Sequence, residues 1–120
     1  MTDPAPTIDQ LLPLTPATFH VLLALADEDR HGYGIIQEVE ARTGGDLRLS
    51  AGTLYSTIQR LLEQGLIVEP RRRPGAAGDS RRRYYRITPL GTAVARAETR
   101  RLAQLVRIAR GTGIMAPEPS

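Results

Sequence analysis

The 120-residue sequence contains no cysteine, no tryptophan and no lysine, and only one phenylalanine. Without cysteine, neither a disulfide framework nor a thiolate zinc site can form. With so few aromatic residues, the core of this single domain has to be built from Leu, Ile, Val and Ala. No apolar run approaches the ~20 residues that a membrane-spanning helix needs. The first ten residues, MTDPAPTIDQ, are acidic rather than basic, unlike a secretory signal. We therefore expect a cytoplasmic protein without membrane contact.

The sequence patterns that support enzyme chemistry are missing as well. There is no HExxH, no P-loop lysine, no GxGxxG and no cysteine nucleophile, and the two histidines are eleven residues apart. We therefore expect no catalysis, no metal and no cofactor. His31 and Tyr33, at the start of a predicted helix, are interpreted as packing and capping residues, with a metal or ligand site as the alternative. The acidic run 27–29 is interpreted as a solvated loop, with a weak cation site as the alternative.

The formal net charge of +3 conceals a strong asymmetry. Residues 1–70 hold four Arg and ten acidic residues, a net charge of −6. Residues 71–86 hold seven Arg and one Asp, a net charge of +6, and residues 87–120 carry a net charge of +3. Positive charge focused in sixteen residues is typical of a surface that meets a polyanion.

Turn residues and helix caps divide the chain into an ordered set of elements. Thr15-Pro16 and Thr88-Pro89 are each a cap followed by proline at the first helical position. The predicted elements begin with a flexible arm at 1–14, which ends in a short apolar anchor around Leu11, Leu12 and Leu14. They continue with helices over 16–26, 31–43 and 50–64, strands at 66–68 and 81–87, a helix over 88–110, and a disordered tail at 111–120. This order predicts an α+β, mainly α, winged helix-turn-helix domain over 15–87 with a C-terminal dimerisation helix.

The third predicted helix has one apolar and one polar face, as an ordinary surface helix or a helix that binds in a groove would have. Apolar residues at 54, 58, 61 and 62 form a stripe at the spacing of a buried face. The opposite face is short, polar and able to hydrogen-bond, as in a helix that enters the major groove. The DNA-binding candidates on this helix are Ser50, Gly52, Thr53, Tyr55, Ser56, Gln59 and Arg60.

Each candidate has a role set by its chemistry. Tyr55 faces outward with a hydroxyl for a phosphate or base edge; the alternative is a ring that lies over the turn to the second helix. Ser50 is either a phosphate donor or only the N-cap. Gln59 is suited to adenine and Arg60 to guanine or phosphate. Gly52 permits a close approach to the DNA backbone.

The two strands and the Gly-rich turn between them predict a basic hairpin that would meet phosphate beside the third helix. Only alternate side chains of a strand face one side. For the same reason, we expect one of Tyr84 and Tyr85 in the core and the other partly exposed. The candidate wing residues are Arg72, Arg73, Arg81, Arg82 and Arg83, with Arg71 beside them.

The final helix, at about twenty residues, would span roughly 30 Å, which is longer than so small a core requires. Its apolar residues recur near helical spacing and predict a surface that needs a partner. The candidate dimer-interface residues are Leu90, Val94, Ala97, Leu102, Leu105, Val106 and Ala109.

Three ordered segments resemble the PadR family of bacterial transcriptional regulators: HGYGI at 31–35, GTLYSTIQRLLEQGLI at 52–67 and RRYYRITPLG at 82–91. The resemblance covers about residues 15–108. The single short final helix is similar to that of the smaller PadR subfamily. Ser56 stands where the family commonly has proline, and the wing is all Arg where Lys is frequent.

The resemblance implies a homodimer with two recognition helices on palindromic double-stranded operator DNA. It also implies repression that a small hydrophobic or aromatic effector relieves. The chain has no Trp for a pocket that sandwiches ligands between Trp rings. The alternative function is a winged-helix protein–protein interaction module without DNA binding.

Overall fold

The computed structural model describes residues 7–71 and 83–114. A short 3-10 turn at Asp9–Leu11 precedes the main elements. These are α1 (Pro16–Leu25), β1 (Arg30–His31), α2 (Gly32–Arg42), α3 (Ala51–Glu63), β2 (Ile67–Val68), β3 (Tyr84–Ile87) and α4 (Pro89–Gly111). The predicted α+β, mainly helical class and the winged helix-turn-helix order of elements are confirmed.

Side-chain caps fix the starts of all four helices. Thr15, Ser50 and Thr88 each accept a hydrogen bond from the backbone N–H three residues on, and His31 does so through Nδ1. Such caps satisfy N–H groups that have no partner within the helix. The predicted capping by His31 is confirmed, and its ring also meets Tyr84 edge to face at 5.5 Å between centroids.

The core lies around α1, which is adjacent to the other three helices and β3. It is aliphatic, as the composition requires, with Tyr85 as its one buried aromatic residue. The largest fully buried apolar side chains come from α1, α2, α3, α4 and the β2 region: Leu22, Leu25, Ile35, Leu54, Leu61, Leu66, Ile67, Val21, Val39 and Val94.

The sheet has three antiparallel strands in the order β1-β3-β2. Strand β1, which the sequence did not predict, pairs Arg30 with Tyr85 and His31 with Tyr84. Two residues are too few to show a strand period, so only the pairing with β3 reveals it. Tyr85 is buried and Tyr84 is half-buried, which confirms the predicted alternation.

The end of the N-terminal arm lies against the core through four half-buried apolar side chains: Ile8 and the expected anchor residues Leu11, Leu12 and Leu14. Glu98 of α4 binds this segment: its Oε2 accepts a hydrogen bond from Leu14 N at 2.7 Å. Glu98 is 1% exposed, and its other oxygen accepts from Arg101 Nε. This bond from Arg101 holds the pKa of Glu98 below its ordinary value, although burial opposes the shift. One buried carboxylate therefore joins α4 to the N-terminal segment.

The acidic run 27–29 is largely solvated, as expected, with Asp27 and Glu28 exposed, and in addition each of its carboxylates pairs with an arginine. Asp27 pairs with Arg42 at 3.0 Å, Glu28 with Arg30 at 3.0 Å and Asp29 with Arg86 at 2.8 Å. These partners come from β1, α2 and β3, so the run ties three elements together.

The described ranges contain no cluster of three or more His, Cys, Asp or Glu that could hold a metal ion. Nor do they contain a helix with the length and apolarity of a membrane span.

Candidate nucleic-acid interface

The two predicted faces of α3 are distinct in the structure. The inward side chains Leu54, Thr57, Ile58 and Leu61 are buried. All seven candidate DNA-binding residues on this helix and its cap are exposed: Ser50, Gly52, Thr53, Tyr55, Ser56, Gln59 and Arg60. The fold therefore leaves a continuous polar face of α3 uncovered.

The polar groups of this face are held by short-range bonds within α3. Ser50 Oγ accepts from Thr53 N at 3.1 Å and lies 3.0 Å from Thr53 Oγ1, while Ser56 Oγ donates to Thr53 O at 3.1 Å. Gln59 Nε2 donates to Glu63 at 3.2 Å. Among the described residues, Arg60 has no ion-pair partner. The helix start is preorganised, and the Arg60 guanidinium is available to an anion.

Gly52, the second residue of α3, has open space where a side chain would begin. A Cβ built there would meet no protein atom within 4 Å, and the backbone is not in the left-handed region. Neither packing nor conformation within the chain therefore requires glycine at this position. This absence of a side chain fits the predicted close approach of a DNA backbone.

Tyr55 combines the two alternatives that the sequence left open. Its side chain is 53% exposed, yet its ring also lies across the start of α2. A Cβ built on Gly32 would be 2.7 Å from Tyr55 Oη and 3.1 Å from Tyr55 Cζ. The Tyr55 hydroxyl also lies near the sheet: burial raises the pKa of Tyr85, and the nearby Glu69 and Tyr55 raise it further.

The wing is described only at its base. Arg72, Arg73, Arg81 and Arg82 lie outside the described residues. Arg83 is exposed, with its Nε 3.7 Å from Glu69, and Arg71 is exposed as well. Arg86, counted in the charge of this segment, makes a bidentate pair with Asp29.

The structure adds two exposed side chains that the sequence did not select. Arg48 lies two residues before the α3 cap, and its only described ion pair is a long one, 3.8 Å to Glu40. Tyr33, expected to serve in packing, is 64% exposed beside Gly32. The predicted order of elements could have indicated both, since Tyr33 lies in the first turn of α2 and Arg48 lies just before the start of α3.

Along α4, burial divides the candidate dimer residues. Leu102, Leu105 and Val106 are exposed, and so is Leu90 at the start of the helix. Ala97 and Ala109 are half-buried, and the structure adds Ile108 to the exposed apolar set. Val94 is a correction: it is completely buried within the subunit, so it belongs to the core and offers no surface to a partner.

Comparisons with known proteins agree with this geometry. A family model described as the transcriptional regulator PadR-like family matches residues 21–97. The transcriptional regulator Rv3488 of Mycobacterium tuberculosis is 40% identical over 88 residues, which are 73% of this chain and 77% of that protein.

Solved structures show the same fold. A transcriptional regulator from Clostridium thermocellum superposes with a TM-score of 0.67 at 26% identity, over 79% of this chain and 87% of that chain. A PadR family transcription regulator from Clostridium difficile gives a TM-score of 0.69 at 20% identity, over 82% and 98% of the two chains. At 20% identity, the similarity to the Clostridium difficile protein concerns the fold alone.

Proposed function

The chain belongs to the PadR-like family of transcriptional regulators, which are not enzymes, and on this premise we propose that it represses transcription as a homodimer bound to a palindromic operator. In this proposal α3 enters the major groove and the wing contacts phosphate. A small hydrophobic or aromatic effector releases the DNA.

The uncovered polar face of α3 is the observation that carries the proposal. Its residues are exposed, and they are small or hydrogen-bonding and stand on a helix whose start is held by a side-chain cap. Gln59 and Arg60 have the chemistry for base edges, and Ser50, Thr53 and Tyr55 for phosphate. Two further arginines that could contact phosphate lie outside α3 in the sequence: Arg48 before it and Arg83 after it.

The exposed apolar residues of α4 support the dimer. Leu102, Leu105, Val106 and Ile108 are between 36% and 53% exposed in the isolated subunit. An apolar face on so small a domain is typical of a protein–protein interface. A second copy of α4 is the partner that the two-fold symmetry of an operator requires.

The proposal is tested with a fluorescently labelled duplex from the region upstream of the protein's own gene. Anisotropy titrations at several salt concentrations should show specific binding with a slope of log K against log [salt] of about −4 or steeper. Light scattering should give twice the subunit mass of 13.1 kDa. Leu105→Glu should give the subunit mass and weaker operator binding.

Different results would contradict separate parts of the proposal. Absence of DNA binding would favour the interaction module without DNA binding. Binding that is independent of salt would contradict the phosphate contacts of the wing, and equal binding to operator and unrelated duplex would contradict sequence-specific recognition by α3. A monomeric mass at micromolar concentration would contradict the proposed homodimer. Aromatic compounds titrated into the complex test the effector, and no release by any of them would count against ligand relief.

A further inference from the structure

The backbone at Gly32 is covered by the ring of Tyr55. Gly32 is buried, and the position of its absent Cβ is 2.7 Å from Tyr55 Oη, 3.1 Å from Tyr55 Cζ and 3.3 Å from Leu54 Cδ2. Real Cβ atoms do not approach other heavy atoms at 2.7 Å, so any side chain at residue 32 would displace the Tyr55 ring. The hydroxyl end of Tyr55 therefore has its place because residue 32 is glycine.

We propose that Gly32 is a positioning residue for DNA binding: it lets Tyr55 lie across the start of α2 and so presents the Tyr55 hydroxyl to the DNA. The inference rests on the proposed DNA-binding function. In it, Gly32 touches no DNA and acts entirely through Tyr55.

No backbone requirement explains glycine at this position. Gly32 is the first residue of α2, and its φ is not in the left-handed region. Glycine is entropically unfavourable in a helix, so the first turn would be stabilised by another residue if space allowed. Gly34, in the same turn, is the matched comparison, because a Cβ there would be 3.4 Å from the nearest atom, an ordinary contact with the His31 ring.

The position of Tyr55 matters because the side chain is half-exposed. A tyrosine has only two side-chain torsions, so a ring held on one face by packing loses little further freedom when its hydroxyl meets DNA. A displaced ring would turn the hydroxyl toward solvent and lose that contact. The expected loss is about tenfold in operator affinity, as for one side-chain contact to DNA.

The test is a double-mutant cycle on the full-length chain. The variants are Gly32→Ala, Tyr55→Ala and the double variant, with Gly34→Ala as the matched control. Operator affinity and melting temperature are measured for each. Gly32→Ala should weaken binding about as much as Tyr55→Ala, the double variant should be no weaker than Tyr55→Ala by more than about twofold, and Gly34→Ala should bind as the wild type does.

Stability provides a readout that does not depend on DNA. Gly32→Ala should change the melting temperature less favourably in the wild type than in the Tyr55→Ala background, since the two closest atoms are gone in that background. If the single variant Gly32→Ala does not fold, the double variant Tyr55→Phe/Gly32→Ala is measured in its place, because it removes only the 2.7 Å contact with the Tyr55 hydroxyl. Equal stability changes in both backgrounds would overturn the packing relation.

Failure of the inference differs from failure of the proposed function. If the wild type bound no DNA while the stability cycle showed coupling, the function would be wrong and the packing right. If the wild type bound the operator but the two affinity losses multiplied in the double variant, or Gly32→Ala kept full affinity, Gly32 would not position Tyr55 for DNA.

Discussion

Replacing Gly52 by alanine should move stability and DNA affinity in opposite directions. The new methyl would meet no protein atom within 4 Å, and the backbone of α3 accepts alanine without strain. The change should therefore stabilise the fold by about 0.5–1 kcal/mol, chiefly by restricting the unfolded chain. For a domain of this size, that corresponds to a rise in melting temperature of about 2–5 °C.

The same methyl should hinder the DNA. If the phosphate backbone approaches α3 at Gly52, one added carbon separates the surfaces and should cost about 1.4 kcal/mol or more, which is a tenfold loss of affinity. Thermal unfolding and anisotropy titrations on the same preparation measure both quantities.

Gly111→Ala is the matched control, because Gly111 is also helical, exposed and without atoms near its Cβ position, but lies at the end of α4. It should not alter DNA affinity. A Gly52→Ala variant that is more stable and binds the operator at full strength would refute the close approach.

Two further predictions concern α4. Gly91→Ala should destabilise the fold by about 3 kcal/mol in urea unfolding, because the new Cβ would lie 2.0 Å from Leu66 O; an unchanged midpoint would contradict this packing. Glu98→Gln should cost about 2 kcal/mol at neutral pH through loss of the charged hydrogen bond from Arg101. Since the pKa of Glu98 lies below its ordinary value of 4.5, the stabilisation is present above that pH and is lost as the pH falls further. The difference in melting temperature between Glu98→Gln and wild type should therefore stay constant from pH 7 down to about 4.5 and shrink as the pH falls below that value; a constant difference at lower pH would contradict the role of ionised Glu98.

The sequence predicted α3 closely because its determinants are local. Helix 50–64 was expected, and the structure has Ala51–Glu63 with Ser50 and Gln64 as caps. A cap residue, an apolar spacing and a terminal glycine act within a few residues, so they can be read without knowing the fold. The exposed polar face followed from the same spacing, although its contacts with DNA remain predictions.

Features that depend on distant neighbours could not be predicted in this way. Val94 fits an apolar stripe, but spacing alone does not tell whether the subunit core or a second subunit covers it. The ion pairs of the acidic run 27–29 were not predicted because its partners Arg42 and Arg86 are remote in sequence. For Tyr55 the sequence left two alternatives, an exposed side chain and a ring that packs over the start of α2. Only the packing of α2 on α3 showed that the ring packs there while the side chain stays half-exposed.

The bidentate pair between Arg86 and Asp29 bears on how a salt titration of this protein should be interpreted. The slope of such a titration counts the small cations that leave the DNA when protein charges replace them. Arg86 already has a counter-charge in Asp29, with N–O distances from 2.8 to 3.2 Å. A phosphate would have to displace that carboxylate, so Arg86 should release few ions. The net charge of residues 71–86 therefore overstates the contribution of the wing to the electrostatic part of DNA binding. Arg86→Gln should leave the slope of the salt titration nearly unchanged.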